Sequence, residues 1–199
     1  ISNFIKIENH HGYKFSVFLL LLGEKRGTNY FNKISLIANR NSYIIGKNGF
    51  SWSFNTESEG CLLQARRSDG QKVFLAAGRQ LITLEGLEVL ALMSQASFTE
   101  KKPLKYTVQE IREKGGTPVI PWGVGKWIGR RGRILKQFLF ESEQGIFLGD
   151  ISGRPNIWPR PRLCKALEAR GGKILPGSDP LPLPRQVSQV GSYGFMINK

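Results

Sequence analysis

Ile174-Leu175-Pro176-Gly177-Ser178-Asp179-Pro180-Leu181-Pro182 is a short apolar run that reaches a glycine, presents a serine and an aspartate, and stops at a proline that cannot continue it. A parallel strand offers a carboxylate at its carboxyl end in this way. Ser and Asp are also ordinary turn residues, so on this stretch alone a loop aspartate capping the next segment reads at least as well. The segments upstream shift the balance.

Three helix, glycine and strand units lie there in succession. Thr107-Val108-Gln109-Glu110 has capping-box spacing, and the helix it opens stops at Gly115-Gly116 before a strand at Pro118-Val119-Ile120. Ile134, Leu135, Phe138 and Leu139 form an apolar stripe ending at Gly145, before Ile146-Phe147-Leu148. Pro161 occupies a first helical position, Leu163, Ala166 and Leu167 form a buried face, and Gly171-Gly172 ends that helix before Ile174-Leu175. Such units predict a parallel sheet with right-handed crossovers and working residues at the carboxyl ends of its strands. Those ends are Trp122, Asp150 and Asp179, and a strand from Val73 to Ala77 adds Arg79 and Gln80 to the same rim. Gln80, Trp122, Asp150 and Asp179 are therefore expected to open onto one face.

Glycines and cations cluster between two of these units. Gly123-Val124-Gly125-Lys126-Trp127-Ile128-Gly129-Arg130-Arg131-Gly132-Arg133 leaves one strand and enters the next helix. Free backbone N–H groups, a favourable dipole and guanidinium forks at a helix start suit a phosphate, which makes Lys126, Arg130, Arg131 and Arg133 the phosphate-binding candidates. The segment is neither a Walker A loop nor a dinucleotide-binding glycine motif, and a solvated basic loop reads equally well in so basic a chain. Arg154, with Arg160 and Arg162, follows the next strand and extends the rim.

The first third is organised differently. Phe4-Ile5-Lys6-Ile7 alternates as a half-buried strand, with an exit loop carrying His10 and His11, which read either as exposed loop histidines or as metal ligands. Residues 13–22 and 28–38 read as helices. The apolar run 15–22 is ended by Gly23-Glu24-Lys25-Arg26, far short of the roughly 20 residues of a membrane span, and reads as a core helix. Residues 42–72 hold short β-like runs separated by Lys47-Asn48-Gly49 and Ser68-Asp69-Gly70-Gln71, which predicts a β-hairpin elaboration at one end of the main sheet. Trp52 and Phe54 within it read as core side chains.

Composition sets outer limits. The 199 residues, 40% apolar and 22% charged, describe a globular chain read as a single domain, 1–199. Because the chain opens on Ile1, further residues are expected upstream. Twenty-nine Lys and Arg against fifteen Asp and Glu give +14, a field that attracts phosphates, nucleic acid or an anionic surface without choosing among them. Cys61 and Cys164 lack CxxC spacing, which argues against a disulfide framework or zinc site and favours a reducing, cytoplasmic setting.

From Val73 to about Leu181 the pattern resembles the PHP (polymerase and histidinol phosphatase) superfamily. Gly177-Ser178-Asp179 looks like that family's Gly-Ser-Asp-Ala-His segment, and residues 114–122 resemble the strand that normally ends Ala-His-Pro. Residues 77–83 and 86–92 resemble its Gly-x-Glu strand and the histidine-bearing strand after it, and Ile7-Glu8-Asn9-His10 looks like Thr-Asp-His. The resemblance implies an α/β fold, a distorted (β/α)7 barrel of parallel strands, here N-terminally incomplete, and metal-dependent phosphoester hydrolysis. The departures are severe. Gln80 stands where a metal-binding Glu belongs, and Glu88, Trp122 and Leu181 stand where histidines belong. His10, Glu88 and Asp179 remain as candidate ligands for at most one divalent ion (manganese, zinc or magnesium), since amide, indole and isobutyl groups cannot replace imidazoles. The expected function is binding of a phosphate-bearing small molecule at an eroded site, with Asp179 accepting hydrogen bonds from backbone or Arg groups. An active metal-dependent phosphoesterase and a basic nucleic-acid binder are the rivals.

Overall fold

The computed structural model of the chain describes residues 17–40, 43–46, 49–57, 60–141, 146–151, 158–180 and 184–196. Its strands form two five-stranded sheets, and the chain crosses from one to the other at Ala77-Gly78. The first sheet has the order β1-β5-β4-β3-β2, with β1 Phe18–Leu21, β2 Tyr43–Ile45, β3 Ser51–Thr56, β4 Leu62–Arg67 and β5 Lys72–Ala76. From β2 to β5 it is an antiparallel meander, as short runs joined by tight turns require. Arg67 clasps Asp69 across the turn before β5, with Nε to Oδ1 at 2.8 Å and Nη2 to Oδ2 at 2.6 Å.

Helix α1, Tyr30–Asn39, covers this sheet and buries Phe31 and Ala38 with Phe54, Leu63 and Ala65. Trp52 packs against the same cluster. Residues 42–72 are therefore not an elaboration on the main sheet: with β1 and β5 they build a sheet with its own core. A second correction falls on the run 15–22. Phe18–Leu21 is a strand, paired in parallel with β5 from Phe18 opposite Val73 to Leu21 opposite Ala76. An apolar residue at every position fits a buried strand as well as a buried helix, and pairing with β5 settles the choice here.

The second sheet has the order β10-β9-β8-β7-β6, from β6 Gly78–Ile82, β7 Glu88–Leu92, β8 Thr117–Pro121, β9 Phe147–Ile151 and β10 Lys173–Gly177. The strands β8, β9 and β10 are parallel, as the glycine-bounded units predict. Their connections carry α3, Gly129–Glu141, and α4, Arg162–Glu168, while α2, Leu104–Glu113, precedes β8. One cluster unites Leu87, Val89 and Ile120 of the sheet side with Leu104 and Ile111 of α2, Leu135 of α3 and Cys164 of α4. Full burial of such side chains stabilises by about 1.5 to 3 kcal/mol each, which pins the three helices to the sheet.

The distorted (β/α)7 barrel is overturned. β7 pairs antiparallel with both β6 and β8, and the sheet is open, with four helices in the described residues instead of one per strand. The cause is local. Between β6 and β7 stands a tight turn, with Thr83 N–H donating to Leu87 O at 2.9 Å, Gly86 N–H to Thr83 O at 3.0 Å, and Gly86 at φ +75. A turn this short forces a hairpin, because a parallel connection needs a dozen or more residues.

Capping also departs from expectation. Helix α2 begins at Leu104, so Thr107 lies within it, donating its hydroxyl to Lys102 O and Pro103 O at 3.2 Å each. The carboxylate that accepts the Leu104 N–H, at 3.0 and 3.1 Å, belongs to Glu85 in the hairpin turn. Pro161 precedes α4 as its cap. Among the described residues no helix is long and apolar enough to cross a membrane.

Candidate functional site

Parallel pairing fixes the level of the strand ends. Pro121 stands opposite Gly149, and Gly149 opposite Leu175, so β8, β9 and β10 finish on one side of the sheet. β7 runs the other way, which brings its first residue, Glu88, to that same side. Gly149 permits the close fit of β8 on β9, since a Cβ there would lie 3.1 Å from Pro121 Cα.

Trp122 follows β8 directly, is 9% exposed, and donates its backbone N–H to Gly149 O at 2.9 Å. Its indole meets Trp158 edge to face, with centroids 6.4 Å apart and planes at 89°. Asp150 is inside β9, one residue before the end, and only 2% exposed. Its Oδ1 accepts the Ile151 N–H at 3.0 Å, and its Oδ2 accepts the Tyr193 hydroxyl at 3.2 Å. A carboxylate so buried requires hydrogen-bond donors of this kind.

The basic turn is drawn onto the same rim by two contacts. Lys126 Nζ meets Glu88 Oε2 at 2.5 Å, and its stem crosses Gly123, where a Cβ would lie 2.5 Å from Lys126 Cδ. Arg131 donates from Nη2 to Gly125 O at 2.8 Å and from Nη1 to Gly86 O at 3.5 Å, tying the turn to the β6–β7 hairpin. Gly132 must be glycine for a steric reason: a Cβ there would lie 2.2 Å from Trp127 O. Arg130 and Arg133 stand exposed on α3, one helical turn apart.

The sequence candidates thus divide. Glu88, Trp122, Lys126, Arg131 and Asp150 share one end of the sheet, with Asp179 just past β10 on that side. Asp179 is exposed and has φ +36, which makes it a turn residue in left-handed backbone, and no hydrogen bond reaches its side chain from the described residues. Gln80 is mid-strand in β6, opposite Leu90, and not at a strand end. Arg79 is also inside β6, where Nη1 meets Glu24 Oε2 at 3.3 Å and donates to Thr28 O at 2.9 Å. Glu24, 7% exposed, accepts the N–H groups of Tyr30 and Phe31 and so caps α1, so Arg79 belongs to a structural clasp. His10 and Arg154 lie outside the described residues.

No divalent-metal site is assembled among the described residues, and the third candidate ligand, His10, lies outside them. Glu88 is committed to Lys126, Asp179 is a solvent-facing turn residue, and no three His, Cys, Asp or Glu side chains gather among the described residues. One strongly lowered carboxyl, Glu110, lies on α2 and not among these residues. Lys114 first, then Lys102, pulls Glu110 down to about 2 against its desolvation, and this trio sits on and beside α2 as an ion-pair network. Glu24, Trp158 and Tyr193 escaped the sequence reading. The only sequence signal was an acidic residue closing an apolar run at Glu24 and isolated aromatics at the other two.

Compared with family models, curated proteins and solved structures, the chain matches none.

Proposed function

We propose that the carboxyl ends of β8, β9 and β10 bind a phosphate-bearing ligand, in a binding or regulatory role and without hydrolysing it. The observation that carries this reading is the double anchorage of the glycine-rich turn, Lys126 on Glu88 and Arg131 on Gly86 and Gly125, which holds cations against a strand-end rim. The turn feeds a 13-residue helix whose N-terminal dipole adds a favourable field for an anion. Kinship with PHP domains is part of the proposal and rests on Gly177-Ser178-Asp179 and the strand before Trp122. The cytoplasm is the setting we assign, on the support of two buried cysteines without a disulfide.

Calorimetric titration with inorganic phosphate tests the site. Arg130→Ala combined with Arg133→Ala is expected to weaken binding at least fivefold, and Lys165→Ala combined with Lys173→Ala less than twofold. Equal losses from both pairs would mean general charge attraction. One observation favours a nucleic-acid reading instead: Arg130, Arg133 and Lys136 are exposed at three-residue spacing along α3. Affinity for a polynucleotide that exceeds that for phosphate and falls steeply with salt would select it.

A further inference from the structure

The end of the chain returns to the rim. A short 3-10 helix, Pro184–Gln189, leads to Gly191, whose N–H donates to Ser178 Oγ at 3.2 Å, and to Tyr193, whose hydroxyl donates to Asp150 Oδ2 at 3.2 Å. Asp150 lies one residue before the end of β9 and Ser178 one residue after the end of β10. Its described side chains from Arg185 to Tyr193 are exposed or half-buried, and Phe195 and Met196 beyond it are 42% and 55% exposed. A segment attached by polar contacts and little apolar burial belongs to the easily opened part of a structure.

What it covers has a recognisable chemistry. Asp150 is a buried carboxylate that takes a hydroxyl donor at Oδ2, and Trp122, whose indole meets that of Trp158 edge to face, is bonded through its backbone N–H to Gly149, the residue before Asp150. A carboxylate that accepts hydroxyls beside an aromatic face suits the polar edge and apolar face of a sugar ring. The anchored cations Lys126 and Arg131 lie on the same rim. We propose that this site takes a phosphorylated sugar, with ring hydroxyls on Asp150 and phosphate at the basic turn, and that residues 184–193 form a strap whose Tyr193 hydroxyl occupies the ligand-hydroxyl position until displaced. The proposal rests on the phosphate reading above and adds the ligand class and the competitor.

The full chain is titrated with ribose 5-phosphate and with inorganic phosphate. Tyr193→Phe removes the competing hydroxyl and should tighten ribose 5-phosphate binding about tenfold, as expected when the binding-competent state rises from about a tenth of molecules to nearly all. Phosphate affinity should not change. Asp150→Asn should reduce ribose 5-phosphate to the affinity of phosphate alone. Because that variant alters a buried group, hydrogen exchange in the wild type supplies an independent arm: saturating ribose 5-phosphate should speed exchange of the Gly191 amide, and phosphate should not. Unchanged or weaker ribose 5-phosphate binding by Tyr193→Phe, with Gly191 equally protected in both states, would make the Tyr193 contact structural and overturn the strap. Failure of the wild type to bind phosphate at all would remove the underlying rim reading, and the strap with it.

Discussion

Asp179 shows how a position can be easier to read than a backbone conformation. Its place after β10 was legible, because Gly177 and Pro180 bracket a strand exit. Its backbone at φ +36 was not, since Ser and Asp tolerate several turn conformations and the choice depends on where the chain goes next. Left-handed backbone favours Asn as well as Asp and penalises β-branched side chains by about 1 to 2 kcal/mol. Asp179→Asn should therefore leave the urea midpoint within error of wild type, while Asp179→Val lowers stability by about that amount. A large loss in the Asn variant would show that the charge has a partner and revive the hydrogen-bonding role. The same contrast separates Glu24 from Arg79: a strand-end cation was inferred at Arg79, but its partner lies 55 residues away and no short window reveals it.

At the level of elements, the three parallel units were legible because each helix carries a 3.6-residue stripe and a terminal glycine. The β6–β7 hairpin was not. Thr83-Leu84-Glu85-Gly86 lacks the Asn-Gly or Asp-Gly signature, and this one turn reverses β7 and prevents barrel closure. The sheet-to-sheet crossing was equally silent until its sterics were visible. A Cβ on Gly78 would lie 2.5 Å from Leu22 O and 2.9 Å from Leu92 Cδ2. A backbone carbonyl cannot rotate aside as a side chain can, so Gly78→Ala should cost about 1 to 3 kcal/mol by overpacking. Gly177 has open space where its Cβ would be, and Gly177→Ala should stay within about 0.5 kcal/mol of wild type. Matching urea midpoints for the two variants would show that the strands at the crossing can separate, which the paired bonds from Leu22 N–H to Ala76 O at 3.0 Å and Glu24 N–H to Gly78 O at 3.1 Å argue against.

For the whole molecule, the net charge of +14 acts on stability and on binding at once, and the two must be separated. Self-repulsion among excess cations opposes the compact state, so any salt that screens it should raise the thermal midpoint. Chloride and sulfate at matched ionic strength screen alike. A localised anion site adds a different contribution, because a ligand that binds only the folded state stabilises it by RT ln(1 + [L]/Kd), a saturable function of concentration. Below about 10 mM, where general salting effects are small, sulfate should therefore raise the midpoint above the chloride curve and then level off. Arg130→Ala with Arg133→Ala lowers the net charge by two and should raise both curves slightly while removing the sulfate increment. Lys165→Ala with Lys173→Ala makes the same change in charge and should keep it. Thermal scans of the three proteins in both salts decide the matter: superimposed chloride and sulfate curves in the wild type would mean that the charge is spread as a general field, and the anchored turn from Gly123 to Arg133 would then be a structural connection and no anion site.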